Sequence, residues 1–245
     1  MAQRQKWVPL EASTEVFTDW ARPLGLPEKP LSFQDVWSLD EEMLSFVPQP
    51  VKAVLLLFPG RGKIQDLRIK EDAVEGNRFK GDVWYIKQQV GCTLATLIQI
   101  PNACGSIGLL HALLNLPESD LEKDSKLLQF KKASLPLDAQ KKADLLDETD
   151  FFSEAHTATA QSGQSEVPSG AALDVDNHFI AFVQAKNEAG ETRLVELDGN
   201  RAGPFDCGPS TDLLRDTAKL VREKYIPNAE GDVSFSMIAL AGEAE

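Results

Sequence analysis

The chain has 245 residues, of which 42% are hydrophobic and 26% are charged, a composition typical of a soluble globular protein. Its formal net charge of −13 argues against nucleic acid and against an anionic membrane as partners, and either favours a basic partner or serves solubility alone. The sequence contains neither an apolar run long enough to cross a bilayer nor an apolar signal core at the N-terminus.

The three cysteines, Cys92, Cys104 and Cys207, are too few and too scattered for a disulfide framework or a zinc site. We therefore expect no metal and no cofactor. Free cysteines favour a reducing compartment, so we expect a cytoplasmic location, with the nucleus as a second one.

The first third of the chain predicts short elements around one long apolar strand. Ser13 or Thr14 caps a helix that runs to about Arg22, because Pro23 follows. The apolar run 51–58 lies between two prolines and predicts a central strand that is buried on both faces. The other expectations here are a strand over 33–37, a helical turn over 40–46, a loop over 60–80 and a strand over 82–87.

A buried helix is predicted after Asn102, which suits the N-cap position. Only Gly108 and His111 interrupt the aliphatic run 107–114, so this helix is buried on most sides. Cys104 falls in its first turn, where the helix dipole favours a thiolate. At this point Cys104 is either a nucleophile or a small core cysteine.

The second half of the chain alternates helices and strands. The apolar strand 178–183 and the alternating segment 193–198 form a predicted hairpin across a polar turn over 186–192. The other expectations are helices over 120–132, 137–147, 150–160 and 211–225, a polar loop over 161–173 and a strand over 234–240. Hairpin-joined strands are antiparallel, so the class is α/β or α+β with an antiparallel sheet.

A thiol peptidase needs a histidine base beside its cysteine and an acid that orients the base. Of the three histidines, His111 lies too far along the cysteine helix and is expected in the core, and His156 is expected at the surface. His178 opens a buried strand, and Asp198 ends the facing strand of the same hairpin. These two are the candidates to complete a triad with Cys104.

These residues, and further stretches from end to end of the chain, resemble the ubiquitin C-terminal hydrolases, a family of small papain-like cysteine peptidases. The most specific matches are the nucleophile motif and the Glu-Leu-Asp-Gly motif. The matching stretches are 7–12, 39–48, 53–59, 85–88, 102–112, 178–180, 196–199, 204–205 and 235–240.

The resemblance implies one catalytic domain over 1–245 with an α+β fold: a central antiparallel sheet flanked by helices, papain-like, with a knotted backbone. It implies Cys104 as nucleophile, His178 as base and Asp198 as the orienting acid. Gln88 would donate to the oxyanion together with the Cys104 N–H group. The segment 154–173 corresponds to a loop that crosses the active site and restricts which substrates enter.

Two features depart from the family pattern. The family glutamine lies six residues before the cysteine, but Gln88 lies sixteen before Cys104, so that 92–101 is a ten-residue insert. The insert is either a translated intron or gene-model error, or a real loop that bulges out and leaves Gln88 in place. Gln99 is a rival donor whose flanks do not match. The spacing from His178 to Asp198 is also longer than usual, with the excess in the hairpin turn.

The implied substrate is ubiquitin, whose C-terminal tail carries arginines and ends in Gly-Gly, and an acidic enzyme suits this tail. Asp35 matches an acidic ubiquitin-contacting position, Asp232 falls where the family carries Glu, and Pro9 and Glu11 border the substrate groove. We therefore expect a monomeric deubiquitinase that removes small adducts or peptides from the C-terminal glycine of ubiquitin through an acyl-enzyme. The alternatives are a catalytically impaired ubiquitin-binding protein and a hydrolase for a ubiquitin-like modifier.

Overall fold

The computed structural model describes residues 8–90, 98–99, 102–160 and 176–242. Its helices are α1 (Thr14–Ala21), α2 (Glu41–Leu44), α3 (Gly62–Asp72), α4 (Cys104–Leu114), α5 (Lys126–Ser134), α6 (Ala139–Asp147), α7 (Asp150–Thr159) and α8 (Leu213–Leu220). Its strands are β1 (Leu31–Asp35), β2 (Val51–Pro59), β3 (Gln89–Val90), β4 (Ile98–Gln99), β5 (Asn177–Lys186), β6 (Thr192–Leu197), β7 (Phe205–Pro209) and β8 (Ser236–Gly242). None of the helices in these ranges has the length and apolar character needed to cross a bilayer.

Six strands form one antiparallel sheet in the order β1-β8-β2-β5-β6-β7. β2 lies inside this sheet, paired with β8 and β5. Leu55 packs into the cluster on the α4 face, whereas Val54 and Leu56 pack into the cluster on the α8 face. An unbroken apolar run is needed because both faces of β2 are covered. The predicted central strand and α+β class are confirmed, and the knotted path stays a prediction.

Helix α4 forms the centre of the larger of the two cores. All eleven of its residues are buried, and it contacts β2 and β5 directly. Residues of α1, α5, α6 and α7 belong to the same cluster, while α8 covers the opposite face of the sheet. The prediction of a helix buried on most sides is confirmed.

The expected loop over 60–80 is wrong, because Gly62–Asp72 forms helix α3. This helix is mostly charged, and only Ile64 and Arg68 are buried. With so few apolar positions, the segment carries no 3.6-residue hydrophobic period by which a helix could be recognised.

The expected strand over 82–87 is also wrong, since this apolar segment joins no sheet. Its backbone pairs with side chains of α4 and its C-cap instead. The Trp84 N–H group donates to Asn115 Oδ1 at 2.8 Å, and the Ile86 N–H group lies 3.2 Å from His111 Nε2. The side chains of 84–86 are buried against α4, which produces an apolar pattern without a strand.

Other element boundaries differ modestly from the predictions. β1 begins two residues earlier than expected, and α5 begins at Lys126, where Ser125 caps it. Residues 154–159 belong to α7 rather than to a crossover loop; the expected polar loop over 161–173 lies outside the described residues. β7 was not predicted, because only five residues with a Gly-Pro end form it at the sheet edge.

Candidate active site

Cys104 is the first residue of α4 and is 9% exposed. The residue before it, Ala103, occupies the N-cap position without a side-chain hydrogen bond. The expected Asn102 cap is therefore wrong. Asn102 instead has a φ of 61°, a left-handed conformation that asparagine tolerates better than most residues, and it turns the chain into the helix.

Two small residues of α4 allow close packing around the thiol. A Cβ atom on Gly105 would lie 3.1 Å from Leu10, and one on Gly108 would lie 3.4 Å from Leu55. Gly105 thus lets the N-terminal segment lie against the first turn of α4, and Gly108 lets the helix approach β2.

His178 and Asp198 are brought together by the β5–β6 hairpin. His178 lies in β5, and Asp198 follows β6 directly. The Nε2 atom of His178 lies 2.8 Å from Asp198 Oδ1, which leaves Nδ1 to face other partners. Cys104 lines the same cavity as the ring and is close enough to raise the pKa of His178. The predicted cysteine, histidine and aspartate therefore lie together at one site.

The charges of this cluster shift two pKa values in opposite directions. Burial lowers the pKa of His178, but the Asp198 carboxylate and the Cys104 contact outweigh burial and raise it to about 10. Burial raises the pKa of Asp198, but the His178 and Arg68 cations outweigh this and hold the pKa well below its usual range. The geometry thus favours a protonated His178 ring beside an ionised Asp198.

Gln88 lies in the same site despite its distance from Cys104 in sequence. It is 3% exposed, and its N–H group donates to the Gly199 carbonyl at 3.0 Å. A Cβ atom on Gly199 would lie 2.7 Å from the Gln88 nitrogen, so this close approach requires the glycine of the Glu-Leu-Asp-Gly motif.

Two short paired strands lie at the ends of the ten-residue insert: β3 just before it and β4 near its last residues. β3 pairs with β4, with Gln89 opposite Gln99, and Gln140 of α6 donates to the Gln89 carbonyl at 2.7 Å. Residues 91–97 and 100–101 lie outside the described residues. Gln88, directly before β3, lines the same cavity as Cys104.

A cavity of about 330 Å³ opens onto the cysteine and histidine side chains. Its walls are rich in carboxamides and carry one cation and one carboxylate; the lining residues are Gly60, Gln65, Arg68, Gln88, Asn102, Cys104, Asp176, Asn177, His178 and Asn200. In the described part of the chain, no group of three or more His, Cys, Asp or Glu side chains is placed to hold a metal ion.

Several of these cavity residues were not identified from the sequence. Arg68 was missed because its helix was read as a loop. Asn200 donates its N–H group to Asp198 Oδ1 at 2.9 Å, and its place two residues after Asp198 was the only available signal.

The four predicted substrate contacts are not among the residues that line the cavity. Pro9 and Glu11 are partly exposed in the segment before α1, and Asp35 is partly exposed at the end of β1. Asp232 lies 3.4 Å from Arg61, and Arg61 also pairs with the cavity residue Asp176. Asp232 is thus linked to the cavity mouth through one arginine.

The two remaining histidines lie in the core. His111 is fully buried and stacks on Tyr85, with ring centroids 5.2 Å apart, so its predicted core position is confirmed. The expected exposure of His156 is wrong: it is 2% exposed. Its Nδ1 lies 2.9 Å from Ser106 Oγ, and its Nε2 lies 2.7 Å from the Val8 carbonyl. It was misjudged because the N-terminal segment that covers it is distant in sequence.

Sequence comparisons agree with this geometry. The model of the family "Ubiquitin carboxyl-terminal hydrolase, family 1" matches residues 7–226. Ubiquitin carboxyl-terminal hydrolase 3 of Arabidopsis thaliana is 34% identical over 241 residues, covering 97% of this chain and 94% of the relative. Ubiquitin carboxyl-terminal hydrolase isozyme L1 of Rattus norvegicus is 33% identical over 240 residues, covering 96% and 98%.

The fold is also similar to that of a solved structure, the Trichinella spiralis UCH37 catalytic domain bound to ubiquitin vinyl methyl ester. The TM-score is 0.71 at 23% identity, with 98% of this chain and 97% of the other covered. The family match and the relatives span nearly the whole chain, and the fold agrees with them. The chain therefore belongs to the ubiquitin carboxyl-terminal hydrolases of family 1, which are cysteine-type, thiol-dependent deubiquitinases.

Proposed function

We propose that this protein cleaves small adducts or peptides from the C-terminal glycine of ubiquitin, with Cys104 as the nucleophile. The observation that carries the proposal is that His178, whose Nε2 lies 2.8 Å from Asp198 Oδ1, lines the same cavity as Cys104. A base held between a thiol and a carboxylate is the arrangement that thiol acyl transfer needs.

In the first step the Cys104 thiolate attacks the glycine carbonyl carbon and forms a carbon–sulfur bond. The negative oxygen accepts hydrogen bonds from the Gln88 amide and the Cys104 N–H group. As the intermediate collapses, the bond to the leaving group breaks, and His178 gives that group its proton.

In the second step neutral His178 removes a proton from water, and the hydroxide attacks the thioester. The carbon–sulfur bond breaks, ubiquitin leaves with a free carboxyl group that gives its proton to water, and the thiolate–imidazolium pair is restored. Asp198 stays ionised throughout and holds the His178 ring in place.

The substrate side of the proposal rests on charge. The net charge of −13 complements the arginines of the ubiquitin tail and speeds encounter. Asp35, Glu11 and Asp232 are the proposed acidic contacts, and Pro9 borders the groove. Because Arg61 already pairs with Asp232, a substrate arginine would compete with Arg61 there. Asp35→Asn and Asp232→Asn should raise KM with little change in kcat, more so at low salt.

The leaving groups are proposed to be small, because the polar segment that follows α7, over 161–173, is expected to restrict access. We also propose that the protein acts as a monomer in the cytoplasm and the nucleus. Light scattering of the purified chain and imaging of a fluorescent fusion would test these two points.

Hydrolysis of a fluorogenic ubiquitin C-terminal amide tests the reaction, with Cys104→Ala as the matched control. Activity in the parent and none in the variant is the expected result; full activity in Cys104→Ala would overturn the assignment. Tight ubiquitin binding without a covalent adduct to a C-terminal electrophile would instead identify an impaired binding protein. Faster hydrolysis of the equivalent amide of a ubiquitin-like modifier would reassign the substrate.

A further inference from the structure

Arg68 lies directly behind the proposed acid of the site. It belongs to α3 and is 4% exposed. Its Nη2 donates to Asp198 Oδ2 and, at 2.9 Å, to Glu196 Oε1. The guanidinium stands over the Phe58 ring, 5.0 Å from its centroid, and that ring packs in a T-shaped arrangement with His178, with centroids 5.9 Å apart. One buried cation therefore contacts the carboxylate and supports the ring packed against the base.

The two oxygens of Asp198 have separate sets of partners. Oδ1 is 2.8 Å from His178 Nε2 and accepts the Asn200 N–H group at 2.9 Å, whereas Oδ2 accepts from Arg68. Rotation of the carboxylate would break contacts on both oxygens at once. Its plane is thus fixed with Oδ1 toward the histidine.

Arg68 is itself held in position by Glu196, which is fully buried. Glu196 also accepts from Arg201 Nε at 2.6 Å and from the Tyr225 hydroxyl at 2.7 Å. Because Glu196 is fixed by these partners, the guanidinium between Glu196 and Asp198 has little freedom to move.

We propose that Arg68 is a positioning residue for the thiol reaction: it holds Asp198 Oδ2 so that Oδ1 stays aligned with His178 Nε2. The inference rests on the proposed roles of His178 and Asp198. The arginine acts through geometry, because its own charge opposes the imidazolium that the site needs.

Arg201 provides the matched control. It is as deeply buried, at 2% exposed, and shares Glu196 with Arg68. Its other charged partners, however, are Glu71 and Asp72 rather than Asp198. If kcat falls only because the buried ion network is damaged, substitution of either arginine should therefore lower it.

The test compares Arg68→Met, Arg68→Lys and Arg201→Lys in hydrolysis of the fluorogenic ubiquitin amide across pH, at temperatures where circular dichroism shows each variant folded. We expect Arg68→Met to lower kcat about 10- to 100-fold, the loss typical of a small misplacement of catalytic groups, with KM within about twofold. Arg68→Lys keeps the positive charge but loses the planar guanidinium with its paired N–H donors. It should therefore recover part of kcat. Arg201→Lys should keep kcat within about threefold, because it keeps a positive charge beside Glu196, and Tyr225 still donates to Glu196.

The pH dependence of kcat/KM distinguishes a positioning role from a purely structural one, because a purely structural role would not shift it. The groups that set the His178 pKa are Asp198 and Cys104, with Arg68 behind the acid and Asp176 also lining the cavity. If Asp198 loses alignment, it no longer raises this pKa. The alkaline limb of kcat/KM should therefore move to lower pH in Arg68→Lys, which keeps the positive charge. An unshifted limb, or an equal kcat loss in Arg201→Lys, would overturn the proposal.

Alkylation of Cys104 by iodoacetamide, measured on the Cys104 peptide by mass spectrometry, separates this inference from the proposed function. It needs no ubiquitin and reports the same cysteine–histidine pair. A parent protein that hydrolyses nothing would refute the proposed function, while a shift of the alkylation profile to higher pH in Arg68→Lys would still support the positioning role, because a less stable imidazolium favours the thiolate less. An identical profile in parent and variant would refute that role. If Arg68→Met does not fold, the comparison of Arg68→Lys with the parent still tests the proposal.

Discussion

His178 Nε2 and Asp198 Oδ1 lie 2.8 Å apart, although twenty positions separate the two residues in sequence. The long turn of the β5–β6 hairpin lies at its far end, beyond Lys186 and Thr192. Extra residues in that turn therefore leave the His178–Asp198 pair undisturbed, which explains why a spacing longer than the family pattern is tolerated.

Asp198→Asn should lower kcat by about 100-fold or more, because it removes the charge that orients His178 and stabilises its imidazolium. KM should change little, since Asp198 is buried behind the histidine. Steady-state kinetics with the ubiquitin amide measures both constants. An unchanged kcat in a folded Asp198→Asn protein would contradict the orienting role.

Stability should fall as the pH rises above neutrality because of His178. Its pKa in the folded protein, about 10, lies above the ordinary 6.5, so folding favours the protonated ring. This contribution is complete below pH 6.5 and is lost as the pH rises towards 10. Urea unfolding of the parent and of His178→Gln should therefore show a difference in unfolding free energy that shrinks between these pH values. A constant difference would count against a raised pKa.

Acid should destabilise the protein through His156. Burial lowers its pKa to about 4, below the ordinary 6.5, although the hydrogen bond to Val8 opposes this. Its contribution is therefore complete above pH 6.5 and is lost as the pH falls through 4, a loss of about 3 kcal/mol at most.

His156→Leu should remove this acid-sensitive part while costing about 1–3 kcal/mol at pH 7, because Ser106 Oγ and the Val8 carbonyl lose their partner. Urea unfolding at several pH values measures both effects. Thr157→Ala, at an exposed position of the same helix, is the control. The same acid sensitivity in His156→Leu as in the parent would exclude His156 as the cause.

Gln88→Ala should lower kcat by about 100- to 1,000-fold, the usual cost of removing one donor to a developing oxyanion. Gln88→Glu should not restore the rate, because a carboxylate cannot donate. Single-turnover kinetics, with ubiquitin binding measured separately, would distinguish a lost transition-state contact from lost binding. A rate equal to that of the parent would point to another donor.

Deletion of residues 92–101 should leave kcat within about tenfold of the parent. Gln88 is held by the Gly199 carbonyl and by close packing against Gly199, and neither contact involves the insert. The deletion variant, assayed beside Gln88→Ala, tests whether the hairpin supports the site. A loss as large as that of Gln88→Ala would show that β3–β4 pairing places the glutamine.

The sequence predicted those features that one short segment can encode. The run 51–58 was long, apolar and bounded by prolines, so its burial on both faces followed directly. Cys104, His178 and Asp198 were recognised because each lies at the end of a regular element, where a side chain can reach a cavity.

The features that were missed depend on contacts between distant segments. Helix α3 buries the charged Arg68 and little apolar surface, so its sequence shows no helical period of apolar residues. Segment 84–86 is apolar because α4 covers it, and its backbone partners are side chains 25 and 31 positions away. His156 is buried by Val8, 148 residues earlier. No local pattern records such long-range pairings.

Helix α4 carries the sulfur of the proposed nucleophile at its first residue and has every residue inside the core. Any opening that loosens this core also moves the sulfur away from the imidazole. Covalent labelling of Cys104 by a ubiquitin-derived electrophile thus counts the intact molecules in a preparation, and heat or urea curves recorded by labelling should coincide with those recorded by circular dichroism.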